Sequence, residues 1–449
     1  MDPAPQSPGN PPPSAGAAAP NLRAPVLVGT EMVAGLVAGI GAGLASAVFL
    51  WALDAVTALR WEHRWLLLLL PLAGVLMQRA YRAWGRGAER GSGLILDALQ
   101  GGSQAVPWTM APLVLGGTLL SHLCGGSVGR EGTAVQMGAS LAAVWGRRFR
   151  DRLPDPSVVL MAGVAGGFGS VFGTPWAGAL YALEWPEPGR VAWRRALPCL
   201  IAAWAGHATC VALGVHHTVY PSSAGPTVPA WGALGAYAVG GVAFGLAARA
   251  FVACLRAWGR GFGVLRIGPG ALPLVSAALL IALTWALGTD AYLGLGVTGR
   301  LPGDPSLVRS FEPGGVTAWS WWWKLLFTTL TLAGGFKGGE VTPLFFIGAA
   351  LGQAVATLGG WPVGEFAALG FIAVFAAASH APWACVILGW ELFGPGLIPP
   401  GCVAVAVADA VATGTGLSDR RTRSLIVSWI LDRCRSGGRG RPGAEVSGG

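Results

Sequence analysis

The sequence contains the same short motifs twice, about 200 residues apart. A Pro-Trp-Ala triplet at residues 175–177 is followed seven residues later by Glu184, and the same triplet at 382–384 is followed at the same spacing by Glu391. Two further pairs keep this order and nearly the same offset, residues 125–133 with 334–342 and residues 43–49 with 245–251. Ordered repetition is typical of chains built from two copies of one structural plan.

Both copies have the composition of a membrane protein. Hydrophobic residues make up 53% of the chain and charged residues only 11%, against about 25% charged in a soluble domain. Several apolar segments are shorter than the ~20 residues that a full helical span needs, namely residues 108–123, 158–172, 175–185 and 366–378. We therefore predict an all-α polytopic membrane protein with short, tilted helices that end inside the bilayer.

Two repeats of one membrane protein commonly have opposite orientations, with the substrate site at their interface near the midplane. We predict repeat 1 at residues 28–222 and repeat 2 at 223–436, flanked by disordered tails at 1–27 and 437–449. The basic residues are nearly all arginine and are spread over short loops and the C-terminal tail. This distribution argues against nucleic-acid binding and predicts a cell-membrane protein with a cytoplasmic C-terminus.

The segment 129–133 places an acid and an arginine between two long apolar stretches. A charge at membrane depth costs roughly 2.5 to 3.5 kcal/mol, so it usually marks an ion pathway. Glu131 lies in a glycine-rich break that opens an apolar run, and Glu340 has the equivalent position in the second half. Helix starts at such breaks can hold an anion, and a carboxylate there would compete with the anion and could carry a proton.

A third glycine-rich break, at residues 91–94, also precedes an apolar run. We predict that the three breaks converge on one positive site. Glu131 and Glu340 are the expected groups for gating and proton transfer. The expected anion-binding residues are Ser92, Gly93, Gly129, Arg130, Gly132, Thr133, Val341 and Thr342.

Other polar residues in apolar segments have two interpretations. Glu184 and Glu391 end matched segments and are either structural acids at an interface or members of a proton path. Asp54 and Asp409 are interpreted as packing or boundary residues. His122 is interpreted as a structural histidine that forms a hydrogen bond.

These residues resemble the motifs of the CLC family of chloride channels and proton-coupled anion antiporters, over residues 28–430. Gly91-Ser92-Gly93 resembles the family's first anion-site loop, residues 129–132 its gate motif with Glu131 as the external gate, and residues 338–343 its third loop. The resemblance implies an all-helical fold of two inverted repeats, with one pore in each subunit of a homodimer.

The features that distinguish the branches of this family are mixed. Thr133 and the pair Val341-Thr342 resemble the fluoride/proton antiporters, whereas Ser92 is the serine of the chloride-type loop. The inner glutamate of chloride/proton exchangers would fall at Trp185. The late tyrosine of the inner gate is missing, since Tyr292 is the last tyrosine. The resemblance implies halide transport coupled to protons, and fluoride export driven by proton entry is the favoured version.

Three alternatives remain open on the sequence. Within the family, the chain could be a chloride/proton exchanger or a passive chloride channel. A cation/proton antiporter would instead need paired acids facing one another at the midplane, and the positive helix starts argue against it. A membrane-embedded enzyme would need a nucleophile with a base, or metal-ligand spacing. The seven cysteines show no such spacing, so we predict no cofactor.

Overall fold

The computed structural model describes residues 24–413, apart from 150, 151, 154, 188, 189 and 222–230. This part of the chain is helical, and its single β feature is one isolated bridge between two loops. Its fifteen α-helices are α1 (Ala24–Glu62), α2 (Leu70–Trp84), α3 (Ser92–Leu99), α4 (Met110–Leu123), α5 (Glu131–Phe149), α6 (Ser157–Phe172), α7 (Pro175–Glu184), α8 (Ala196–Ala212), α9 (Trp231–Val264), α10 (Leu272–Leu287), α11 (Ser320–Ala333), α12 (Val341–Gly359), α13 (Val363–Ser379), α14 (Pro382–Phe393) and α15 (Ile398–Ala412).

The predicted tails fall mostly outside the described residues. Helix α1 begins at Ala24, so it includes the last four residues of the segment 1–27. Residues 1–23, the predicted tail 437–449 and the predicted boundary between the repeats at 222/223 lie outside the described part. The limits of the two repeats therefore stay predictions.

The helices have very unequal lengths. Within the described part, five helical segments are long and apolar enough to cross a bilayer: Val28–Glu62, Arg64–Trp84, Ala233–Val264, Val341–Gly359 and Pro395–Ala412. Others are much shorter, as the sequence predicts. Helix α7 has ten residues and is therefore ~15 Å long, about half the ~30 Å thickness of the hydrocarbon core. Such a helix ends inside the membrane and can present its terminus to a buried site.

Glycine allows two equivalent helix pairs to approach closely. A methyl group added at Gly138 on α5 would lie 2.3 Å from the carbonyl oxygen of Gly163 on α6. In the second half, a methyl group at Gly348 on α12 would lie 2.0 Å from the carbonyl oxygen of Gly370 on α13. Small residues permit backbone contact between membrane helices, and here they fix the same crossing in each repeat.

Helices α7 and α14 show directly how the repeats are related. Glu184 ends α7, and its carboxylate accepts hydrogen bonds from the backbone N–H groups of Trp383 (3.2 Å) and Ala384 (2.9 Å) in the first turn of α14. The carboxylate of Glu391, in the last turn of α14, accepts hydrogen bonds from Trp176 (3.1 Å) and Ala177 (2.7 Å) in the first turn of α7. Each helix end therefore meets the other's start.

This exchange makes α7 and α14 antiparallel and relates the two halves by an approximate two-fold axis, because reciprocal contacts between equivalent residues require one. The fold thus consists of two inverted repeats. The same contacts give Glu184 and Glu391 a structural role at this interface. Each carboxylate satisfies two N–H groups that a helix start leaves unpaired.

Candidate anion site

The two equivalent glycine-rich loops contact each other at the interface of the repeats. Gly129 and Gly339 form the isolated antiparallel bridge, with N–O distances of 2.5 and 2.8 Å. Gly338 has φ +150°, and a methyl group there would lie 2.4 Å from the side chain of Val128. Glycine is therefore needed for the loops to pair. The bridge holds the starts of α5 and α12 together, so their partial positive charges act on the same region.

Glu131 from the first repeat binds the helix start of the second. Its side chain is buried, with 1% of its surface exposed. Oε2 accepts hydrogen bonds from the backbone N–H of Thr342 at 3.1 Å and from the hydroxyl of Thr342. Arg130 contributes its backbone N–H at 3.2 Å, and its Nε lies 3.4 Å from Glu131 Oε1. The carboxylate therefore occupies a preformed anion-binding position at the start of α12.

Glu340, the equivalent acid of the second repeat, has a different environment. It stands immediately before α12 but forms no side-chain hydrogen bond that caps this helix. It is only partly buried. A methyl group at Gly132 would lie 3.8 Å from Glu340 Oε2, so the carboxylate lies near the start of α5. The structure thus brings both predicted acids to the loop pair, but only Glu131 occupies a helix start.

Two cavities lie on either side of this arrangement. The first, which we call the Ser92 cavity, has a volume of about 240 Å³ and is lined by Glu131, Glu340 and Ser92. The second, the Arg60 cavity, has a volume of about 310 Å³ and is lined by Arg60 and Arg130 among others. The two cavities share no lining residue. The neighbours Arg130 and Glu131 therefore stand between them.

Half of the eight predicted anion-binding residues line the Ser92 cavity. Ser92 opens α3, and its hydroxyl accepts a hydrogen bond from Gln136 at 3.2 Å. The other predicted residues on the cavity wall are Gly93, Gly132 and Val341. The loops from three separate positions in the chain thus converge as the sequence predicts.

Thr133 and Gly129 have other contacts. The Thr133 hydroxyl is buried and lies 2.7 Å from the hydroxyl of Thr118 on α4. Thr133 lines neither cavity. Gly129 contributes its N–H and carbonyl to the bridge with Gly339. In this arrangement the two residues fix the geometry of the loop rather than offer donors to a cavity.

Sequence reasoning missed an aromatic wall of the Ser92 cavity. Tyr181 on α7 stacks on Phe168 with ring centroids 4.7 Å apart, on Trp185 at 5.6 Å and on Phe375 at 5.9 Å, and all four rings line the cavity. The position expected for the inner glutamate, Trp185, is therefore part of this wall. The signal available was the Tyr-Ala-Leu-Glu-Trp run at residues 181–185, which places Tyr181 and Trp185 four apart on one helical face.

His122 forms the hydrogen bond expected of a structural histidine. It is buried on α4, and Nδ1 lies 2.8 Å from the carbonyl oxygen of Thr118. Because a carbonyl can only accept, Nδ1 carries the proton. His122 also lines the Arg60 cavity. Asp409 likewise has a packing partner, since Oδ1 lies 2.7 Å from His380 Nδ1.

Inverted repeats of short helices, with helix starts meeting at their interface between two cavities, define the class of polytopic ion transporters and channels. Comparisons with known proteins agree. The family profile described as voltage gated chloride channel matches residues 72–413. A chloride/fluoride channel protein of Pseudomonas syringae pv. tomato is 42% identical over 391 residues, covering 86% of this chain and 84% of that protein. The chain belongs to the CLC family.

Solved structures show the same fold. A crystal structure of a CLC-type fluoride/proton antiporter is 32% identical, with a TM-score of 0.80, and the match covers 87% of this chain and 97% of that one. A slow cyanobacterial Cl⁻/H⁺ antiporter has a TM-score of 0.72 over 91% of this chain and 99% of that one. The cyanobacterial protein is only 20% identical, so it supports the fold alone.

Proposed function

We propose that this protein exchanges a halide, with fluoride preferred, for protons across a membrane, and that Glu131 couples the two ions. One observation carries the proposal: the Glu131 carboxylate occupies the start of α12 between the two cavities. An anion can use that position only when the carboxylate leaves it. Protonation removes the negative charge that the helix start stabilises, so proton binding favours release of the side chain and entry of the anion.

The residues around Glu131 would then bind the anion. In this structure the N–H and the hydroxyl of Thr342 both donate hydrogen bonds to Glu131. When Glu131 leaves, both groups can donate to the anion instead. Fluoride is small and strongly hydrated, so its dehydration must be offset by close donors, and Thr342 offers two from one residue. Ser92 and Gly93 would receive the anion in the Ser92 cavity, with Gly132 and Val341 forming the wall between.

Glu340 is the proposed proton acceptor on the side of the Ser92 cavity. It lines that cavity and is partly exposed, so it can exchange protons with water there. The aromatic wall offers no carboxylate at Trp185. Glu340 would therefore take the role of a second acid near the gate.

The relatives support the preference for fluoride. The Pseudomonas protein is named for both chloride and fluoride, and the more similar of the two solved structures is a fluoride/proton antiporter. The two donors of Thr342 also support a preference for fluoride, because they lie close together at the start of α12.

The test is ion efflux from liposomes loaded with fluoride or chloride, with external pH recorded at the same time. Fluoride efflux with matching proton uptake, and little chloride efflux, is the expected result. Glu312→Gln is a suitable control, because Glu312 is exposed and pairs only locally with Arg309. Fluoride efflux that ignores an imposed pH gradient would contradict coupled exchange.

A chloride/proton exchanger or passive chloride channel is the second candidate, and one observation favours it. The Ser92 hydroxyl lines the cavity, and serine at this loop is the chloride-type residue. Chloride efflux as fast as fluoride efflux in the same assay would select this candidate. The pH record would then separate an exchanger from a channel.

We also propose a homodimer with each subunit's C-terminus in the cytoplasm. Trp176 and Trp383 begin α7 and α14 and are 44% and 57% exposed, so the two-fold face between the repeats presents apolar side chains. Lipid or a second subunit would cover them. Light scattering of the detergent-solubilised protein, corrected for bound detergent, gives the subunit number, and a monomer would contradict the dimer.

A further inference from the structure

Arg60 forms no ion pair within the described residues, and two of its three guanidinium nitrogens form no hydrogen bond. It lies in the last turn of α1 and is 6% exposed. Its Nε and Nη1 atoms are buried without a hydrogen-bond partner, and no carboxylate in the described part of the chain lies within ion-pair distance of it. Burying a guanidinium without an ion pair costs free energy. The group has five N–H donors and no acceptor, so only an acceptor can satisfy it. The side chain therefore calls for an anionic ligand.

The nearest described carboxylates are engaged elsewhere or exposed. Asp290 lies 3.2 Å from Arg64 and 3.9 Å from Arg300. Asp304 accepts the backbone N–H of Leu301 at 2.8 Å. Asp54 lines the same cavity but is exposed to solvent. None of them forms an ion pair with Arg60, and Asp290 attracts it only from beyond ion-pair distance.

Arg60 lies beside the loop that carries the gate. A methyl group at Gly125 would lie 3.2 Å from Arg60 Nε, so the guanidinium packs directly on this loop. Arg130, on the same loop, lines the same cavity. Its Nε forms no hydrogen bond but lies 3.4 Å from Glu131 Oε1, so it is ion-paired with the gate. The buried amino group of Lys324 donates hydrogen bonds to the carbonyl oxygens of Tyr292 (3.2 Å) and Gly294 (2.9 Å), and Gly294 lines the cavity.

We propose that the Arg60 cavity is a second anion site, which binds one halide between Arg60 and Arg130 before it reaches the position of Glu131. The role in transport rests on the proposed function, whereas binding at the site does not. His122 does not contribute a donor, because its proton lies on Nδ1 toward Thr118. The site needs no movement of Glu131, so it is available in the structure as it stands.

Equilibrium dialysis of the purified full-length protein against radiolabelled chloride, with gluconate as the inert anion, tests the site. We expect Arg60→Gln to weaken chloride binding roughly tenfold or more, as expected for loss of a charged hydrogen-bonding partner. Arg190→Gln is the control, because Arg190 is exposed, pairs with Glu187 at 4.0 Å and lines neither cavity. This variant should bind chloride as the unmodified protein does.

A second variant tests the same site with Arg60 in place, so the test does not depend on the folding of Arg60→Gln. Thr57 lines the cavity one helical turn before Arg60, so Thr57→Glu places a carboxylate within reach of the guanidinium and should also weaken chloride binding. Chloride binding that is unchanged in both variants, or absent from the unmodified protein, would overturn the proposal. If fluoride exchange fails in liposomes while this binding behaves as expected, only the proposed function is lost.

Discussion

The two repeats use equivalent carboxylates in opposite ways at two places on their interface. At the crossing of α7 and α14, Glu184 and Glu391 each cap the other repeat's helix, and the contacts are nearly identical. At the loop pair, Glu131 caps α12 while Glu340 caps no helix. The first pair is symmetric and holds the fold. The second pair is asymmetric, and it lies at the helix start where the proposed exchange of carboxylate and anion takes place.

The largest expected effect comes from Glu131→Gln. Glutamine retains the shape and can still accept the hydrogen bonds of Thr342, but it cannot carry a proton. We expect fluoride efflux to proceed with no accompanying proton uptake in the liposome assay. Proton uptake that stays proportional to fluoride efflux would refute the assignment of Glu131.

Glu184→Gln and Glu391→Gln should instead affect stability, and by similar amounts. Each replaces a carboxylate that accepts two backbone N–H groups, and hydrogen bonds to charged groups are worth about 1.5 to 3 kcal/mol. We expect a lower thermal midpoint for both variants in detergent, with the proton-to-fluoride ratio of the folded protein unchanged. A changed ratio in either variant would place that acid on the proton path.

Thr342→Ala removes the side-chain donor at the start of α12 and leaves the backbone N–H. Loss of one hydrogen bond of about 1 kcal/mol predicts a fluoride affinity roughly five- to tenfold weaker by calorimetry. Thr133→Ala is the matched variant at the equivalent position of the first repeat. Its hydroxyl bonds Thr118 instead, so fluoride affinity should change little. An equal loss of fluoride affinity in the two variants would contradict the assignment of anion binding to Thr342 alone.

Glu340→Gln should have the smallest effect. If Glu340 takes protons from the gate, the variant should slow fluoride efflux and proton uptake together by a few-fold, because exchange obliges the two ions to move at a fixed ratio. Initial rates measured at several pH values test this. Unaltered rates at all pH values would assign Glu340 no part in proton transfer.

The sequence predicts the elements of this protein well, because they follow from local pattern. The apolar runs, their short lengths and the repeated Pro-Trp-Ala triplets indicate two copies of a helical membrane plan. The three glycine-rich breaks lie where α3, α5 and α12 begin. Glycine and acid positions in an apolar chain carry strong information, since few residue types are tolerated there.

The pairings between distant elements could not be obtained in the same way. The sequence does not show that Glu391 accepts hydrogen bonds from Trp176 and Ala177, which lie more than 200 residues away. Thr133 and Thr342 occupy matched positions, and yet one hydroxyl bonds Thr118 and the other Glu131. Arg60 could have been interpreted as an interfacial anchor, whereas it is buried against Gly125.

The sequence by itself thus determined a helical membrane chain in two copies, the residues at which its helices start, and the resemblance to the CLC family. The tertiary structure decided which carboxylate binds which helix start, which donors face a cavity, and which arginine is left without a partner. The physical reason is that helix formation depends on neighbours along the chain. A hydrogen bond between residues 211 positions apart, such as that of Thr342 with Glu131, depends on how the two repeats pack.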